Sequence, residues 1–256
     1  MKNSRNKIKK ILSGILVFLV IIAAASAIYL GNYYHASDEA AAIAENALHV
    51  HSEHRDFLIF GTEELSENSG SSEDVLIFYP GGKVEMEAYA PLCSEIAEQG
   101  ILCVLVEMPF NLAVFDMSAA SYVQEYMSEN YGCSDFCIGG HSLGGAIASY
   151  YAYDHGNDIE GLVLLGAYSG KDLSSADLRV LSVYGSEDQV LSADKYKESI
   201  QYMPEDFTEV VLEGGCHSWF GSYGMQKGDG TPVLSNEEQI SMTADLIAGW
   251  IKQSSK

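Results

Sequence analysis

From Val75 onward, apolar runs of about five residues alternate with helical stretches of about ten to fifteen, a pattern that restricts the chain to parallel βαβ units. The runs Val75–Tyr79, Leu102–Val106, Asp135–Ile138, Gly161–Leu165, Val180–Tyr184 and Thr208–Leu212 are mostly apolar throughout, as strands are when helices cover both faces of their sheet. Between them the spacing predicts helices over Tyr89–Gln99, Ala119–Asn130, Leu143–Asp154, Ala193–Tyr202 and Asn236–Lys252. End signals agree. Pro91 suits a first turn, Gly100 a C′ position, and Ser235 with Glu238 makes a capping box ahead of the face formed by Ile240, Ala244, Ile247 and Ile251. Upstream, Leu48–Thr62 reads as two short strands around the turn Glu53-His54-Arg55-Asp56, and Glu64–Asp74 as a solvated loop. The expected fold is α/β, a doubly wound and mostly parallel sheet over residues 48–256.

The N-terminus has a different character. Residues 1–10 carry Lys2, Arg5, Lys7, Lys9 and Lys10 and precede an uncharged stretch over 11–30, about the 20 residues that span ~30 Å of hydrocarbon. Asp and Glu are absent from residues 1–30, so the remainder holds nine basic against 36 acidic residues, a formal charge of −27. Positive-inside asymmetry predicts a cytoplasmic basic segment at 1–10, a transmembrane signal anchor at 11–30, a polar, Ala-rich stalk at 31–47 and an extracytoplasmic domain. The alternative is a signal peptide cleaved near Ala27, after Ala25-Ser26-Ala27, with the domain secreted. In either case the domain is exported, and the membrane is a partner only through the N-terminal helix. So acidic a domain repels phosphodiester backbones, which argues against nucleic acid as a partner. Of five cysteines, Cys103 and Cys137 lie in strands as small hydrophobes. No essential disulfide framework is expected, and a pair among Cys93, Cys133 and Cys216 is left open.

The segment Gly140-His141-Ser142-Leu143-Gly144-Gly145 contains GxSxG between an apolar strand and a helix. That context holds a serine on a sharp, strained turn above the sheet edge, with glycines where Cβ atoms would collide. A serine hydroxyl is a poor nucleophile without a base to take its proton and an acid to orient that base. Asp188 lies just past the carboxyl end of the strand Val180–Tyr184, with Glu187 as its nearest rival. His217, alone among seven histidines, follows a strand exit downstream of both, giving the order Ser, Asp, His. Developing negative charge on a carbonyl oxygen calls for two N–H donors. Leu143, directly after the serine, is one candidate; Gly82 is the choice for the other, with Lys83 as its alternative.

These stretches, together with Tyr79-Pro80-Gly81-Gly82-Lys83-Val84, Gly185-Ser186-Glu187-Asp188 and the His217 loop with Gly228-Asp229-Gly230, resemble the α/β-hydrolases. More narrowly, they resemble the compact, membrane-anchored or secreted bacterial members of the dienelactone-hydrolase-like group, over nearly all of residues 48–252. The resemblance implies Ser142 as nucleophile, Asp188 as acid and His217 as base. Many relatives carry His-Gly where this chain has Pro80-Gly81.

Competing sites are weaker. His49 and His51 fit one face of a strand, with no acidic or Cys ligand at matching spacing, so neither a metal nor another cofactor is expected. Cys216 beside His217 lacks a strained elbow. The loop Glu107-Met108-Pro109-Phe110-Asn111-Leu112 follows a strand end and is a candidate lining for an apolar acyl pocket or a buried connection. Too few residues separate Leu165 from Leu178 for a large lid. The expected function is a serine hydrolase acting on a small-molecule ester or related acyl compound through an acyl-enzyme. Acyl transfer or peptide cleavage on the same residues, or a tethered non-catalytic binding protein, are the alternatives.

Overall fold

The computed structural model describes residues 12, 14–22, 24, 26, 29–52, 55–62 and 74–253. The chain divides into two units, Met1–Tyr33 and Tyr34–Lys256. In the first, described residues over 14–22 are helical. Among the described residues no helix is long and apolar enough to cross a membrane. The basic segment 1–10 and part of the expected span over 11–30 lie outside them, as do Glu53, His54 and the expected loop up to residue 73.

The second unit is built on eight strands: β1 Leu48–His51, β2 Asp56–Phe60, β3 Asp74–Tyr79, β4 Leu102–Val106, β5 Asp135–His141, β6 Gly161–Leu165, β7 Arg179–Gly185 and β8 Phe207–Leu212. Their order across the sheet is β1-β2-β4-β3-β5-β6-β7-β8. The first three pair antiparallel and the rest parallel. Alternation is hidden in the sequence because both faces of the central strands are buried. Leu76 and Phe78 of β3 enter one core with Leu105, Leu165 and Val183. Val75, Ile77 and Tyr79 enter the other with Val104, Ile138 and Leu164. The first core is covered by α1 Asp38–Ala44, α2 Ala90–Glu98 and α6 Asn236–Ile251; the second by α3 Ala119–Tyr131 and α4 Leu143–His155. A shorter helix, α5 Ala193–Ser199, ends in a 3-10 turn over Ile200–Tyr202. The expected capping box on Ser235 and Glu238 is present. All five cysteines are free thiols and buried, so none of the pairings left open is made.

One segment departs from its expected role. Residues 31–47 read as a stalk, yet from Tyr34 onward they belong to the folded unit. Tyr34 forms a parallel bridge with Val84, its N–H donating to the Lys83 carbonyl at 2.7 Å and its carbonyl accepting from Glu85 N–H at 3.0 Å. Ser37 caps α1 through the Ala40 N–H, and Ala40 and Ala44 are buried. Alanine is too weakly apolar to announce burial in a sequence, but it is what a helix needs to lie close on its neighbours. Substituting Ala40 by Glu places a carboxylate in that contact and is expected to cost several kcal/mol in urea unfolding. A free stalk would tolerate the change with no shift in midpoint.

Candidate active site

The carboxyl ends of β5, β7 and β8 supply the side chains singled out in the sequence. β5 runs to His141, further than expected, and delivers Ser142 with φ 52° and ψ −119°. Such a conformation costs a non-glycine residue roughly 1–3 kcal/mol and persists only where its surroundings enforce it. Here the Ser142 N–H donates to the Leu165 carbonyl at 2.9 Å, and the Ser142 carbonyl accepts from Ala146 N–H at 3.0 Å as α4 begins. A Cβ on Gly144 would fall 2.2 Å from the Tyr79 carbonyl oxygen, and one on Gly140 2.6 Å from the same atom. No side chain fits either position, which is the physical content of the glycines flanking the serine.

Asp188 and His217 are paired. Asp188 Oδ2 lies 2.8 Å from His217 Nδ1, and both side chains are buried. Asp188 Oδ1 accepts N–H bonds from Val190 at 2.9 Å and Leu191 at 2.8 Å, which fixes the carboxylate plane. With Nδ1–H committed to Asp188, His217 Nε2 keeps its lone pair; it is buried and has no hydrogen-bond partner among the described residues. The rival Glu187 turns away, its carboxylate accepting from the Ser186 hydroxyl at 3.2 Å. Cys216 is buried and its thiol is pushed up to about 12 by desolvation, so it stays protonated near neutral pH.

Ser142 is brought to this pair from two sides. Its backbone partner Leu165 precedes Gly166, where a Cβ would lie 3.0 Å from His217 Nδ1 and 3.4 Å from Asp188 Oδ2. Its chain neighbour His141 places its ring centroid 4.5 Å from that of His217. No hydrogen bond links the Ser142 hydroxyl to His217 among the described residues.

The two candidate donors lie on segments in contact, since a Cβ on Gly82 would meet the Leu143 side chain at Cδ2, 2.7 Å away. Leu143 opens α4, so its N–H has no acceptor within the helix. The loop after β3 then separates the alternatives: Gly81 N–H donates to Tyr89 Oη at 3.0 Å and Lys83 N–H to the Asn111 carbonyl at 2.6 Å. Gly82 alone of the three has no N–H partner among the described residues, whereas the Lys83 N–H is already engaged.

Three residues around the site carry no signal of this kind in the sequence. Asp229 binds the base loop: Oδ2 accepts from Ser218 N–H at 2.8 Å and Ser218 Oγ–H at 2.6 Å, and Oδ1 accepts from Gly230 N–H at 2.8 Å and His217 N–H at 3.3 Å. Burial pushes this carboxyl up, but the bonds from Ser218, Gly230 and His217 outweigh it and hold it below the usual carboxylate range. Its Gly-Asp-Gly setting is the one available clue, since such turns favour Asp side chains that bond nearby backbone. Tyr89 and His141 form a second link, with Tyr89 Oη 2.8 Å from His141 Nδ1. Because Tyr89 already accepts the Gly81 N–H, its proton belongs on the line to Nδ1, which assigns His141 the neutral Nε2–H tautomer. Among the described residues no cluster of three or more His, Cys, Asp or Glu is arranged to hold a metal. His49 donates instead to the Ala44 carbonyl at 3.1 Å.

Burial, and secondarily the neighbouring His217, hold His141 well below the usual imidazole range. A pKa lower in the folded than in the unfolded state makes unfolding take up a proton below about pH 6.5. The stability contributed by the neutral ring is complete above that pH and is lost on acidification toward the folded pKa. Urea unfolding between pH 7 and pH 5 should show this as a falling free energy, up to about 1.4 kcal/mol per pH unit for one proton, and His141→Asn should lack that component. Equal slopes in the two proteins would contradict the assignment.

The comparisons with known proteins agree with the architecture. Among solved structures, Est1E from Butyrivibrio proteoclasticus is similar with a TM-score of 0.61 and 14% identity, over 82% of this chain and 99% of that one. The predicted CIB-like hydrolase from Thermoplasma acidophilum gives 0.57 at 14% identity, over 80% and 98%. The esterase domain of a Rhodothermus marinus protein gives 0.58 at 11% identity, over 81% and 98%. At such identities these likenesses speak for the fold. No curated protein matches. Residues 75–241, more than half of the sequence, match the alpha/beta hydrolase family, from the first long parallel strand into α6, and the chain belongs to that family.

Proposed function

We propose that this hydrolase is a serine esterase, cleaving a carboxylic ester or related acyl bond of a small molecule through an acyl-enzyme. The observation that carries this is His217: its Nδ1 is held by Asp188, while its buried Nε2 has no partner among the described residues, near the strained Ser142 turn. In this mechanism Nε2 takes the Ser142 proton as Oγ attacks the carbonyl carbon. Asp188 keeps the imidazole in the required tautomer and stabilises the imidazolium. The N–H groups of Leu143 and Gly82 receive the oxyanion, each such donor being worth about 2.7–4 kcal/mol in the transition state. His217 then returns the proton to the leaving alcohol. Water, deprotonated in turn by His217, releases the acyl group.

Est1E, whose structure is also known with ferulic acid bound, and the Rhodothermus esterase domain add support for ester chemistry on this scaffold. Within the family, the motifs around Pro80-Gly81-Gly82 and Gly185-Ser186-Glu187-Asp188 favour the compact dienelactone-hydrolase-like group. The basic residues at 1–10 and the uncharged stretch at 11–30 support an N-terminal membrane anchor with an extracytoplasmic domain, or its removal near Ala27.

A fluorophosphonate probe and short-chain aryl esters test the mechanism on the full chain. Ser142→Ala should abolish both labelling and turnover, and labelling that survives it would reject the nucleophile. Asp188→Asn should lower kcat roughly 10⁴-fold while the protein stays folded. A loss under ten-fold would remove Asp188 from the mechanism.

A further inference from the structure

We propose that the loop between β4 and α3 is the acyl-binding platform of this enzyme and selects substrates with a bulky apolar acyl group; the assignment rests on the esterase reading above. The loop leaves four large apolar side chains in solvent: Phe110 at 62% exposure, Phe115 at 57%, Val114 at 44% and Met117 at 37%. The two phenyl rings meet edge to face, with centroids 5.7 Å apart. Scattered exposed apolar residues need no explanation, but four on one short loop form a patch of the kind that marks a binding surface.

The platform is held rigidly from beneath. Arg55 and Asp116 form a bidentate, mostly buried ion pair. Tyr79 Oη donates to the Met117 carbonyl at 3.3 Å and accepts from Ala120 N–H at 2.8 Å. Glu107 N–H donates to the Asp56 carbonyl at 3.0 Å. Phe110 and Asn111 are both in the left-handed region, at φ 57° and 56°. Of the two, Phe110 is the strained one, since a bulky side chain rarely adopts this conformation, and strain of this kind gathers at ligand sites.

Sheet order assigns the occupant. Ser142 follows β5; Asp188 and His217 follow β7 and β8 on one side of it, while this loop follows β4 on the other, beyond β3. The Lys83 N–H bond to the Asn111 carbonyl ties it to the loop that carries Gly82, and its turn Ala113–Phe115 packs on α4, which starts at Leu143. A leaving alcohol must lie within reach of His217 Nε2 to be protonated. The acyl group therefore extends the opposite way, over the oxyanion donors and onto Phe110 and Phe115.

The test is the ratio of kcat/KM for p-nitrophenyl octanoate over p-nitrophenyl acetate in the full chain and in Phe110→Asn and Phe115→Ser. Asn tolerates the left-handed backbone at position 110, so that variant changes the ring without adding strain. The ratio should fall by about ten-fold or more in each variant, the scale on which apolar contacts discriminate substrates. With the leaving group changed instead, from methyl to octyl acetate, the variants should move the corresponding ratio by less than about two-fold. A ratio that stays put for the acyl series, or falls only for the alcohol series, overturns the assignment. Absence of turnover for every ester in the unaltered protein would instead overturn the esterase reading itself.

Discussion

The close approach of the β3 terminus to the start of α4 governs the site. Gly144 lies so near the Tyr79 and Pro80 carbonyl oxygens that even a methyl group there would overlap both. With the two backbones in that contact, the chain between β5 and α4 must turn within one residue, and Ser142 takes the strained conformation as a result. The same contact sets Gly82 against the Leu143 side chain, on two segments whose N–H groups have no hydrogen-bond partner among the described residues. One packing constraint thus underlies both the strained Ser142 turn and the contact that the proposed mechanism uses for its oxyanion donors.

The sheet then acts as a ruler. Parallel strands bring all their carboxyl ends to one edge, so residues distant in sequence, Ser142, Asp188 and His217, arrive within a few strands of one another. Fine adjustment comes from polar groups rather than from the sheet. Asp188 is fixed by two N–H groups, His217 and Ser218 by Asp229, and the loop after β3 by Tyr89 and His141. The imidazoles of His141 and His217 lie almost entirely out of water, and His217 Nε2 has no hydrogen-bond partner among the described residues. A neutral His141 at this point avoids placing a positive charge beside the ring proposed to accept a proton.

Strand positions were legible because their causes are local: apolar runs of strand length, turn glycines and helix caps. The serine turn was legible for the same reason, since its glycines, strand and helix are contiguous. Gly82 and Lys83 could not be told apart as candidate donors in the sequence, because the residue that takes the Lys83 N–H, Asn111, is remote in the chain. Tyr89 is likewise remote from His141, and nothing in an Ala-Tyr-Ala stretch announces a hydroxyl that organises a distant loop. The packing of α1 was missed because Ala40 and Ala44 bury little apolar area each, so a helix that belongs to the core resembles a polar stalk. The left-handed pair Phe110 and Asn111 was invisible for a different reason: neither is glycine, and backbone strain in a bulky residue is imposed by tertiary contacts alone.

The proposed mechanism requires Ser142, His217 and Asp188 to act as one unit. Its most direct measurement is kcat for a short aryl ester in Ser142→Ala, in His217→Ala and in the variant lacking all three side chains. If they work together, the triple variant is no slower than Ser142→Ala, because one removal already disables the group. Losses that multiply across the three positions would mean that they contribute independently, and would contradict the mechanism.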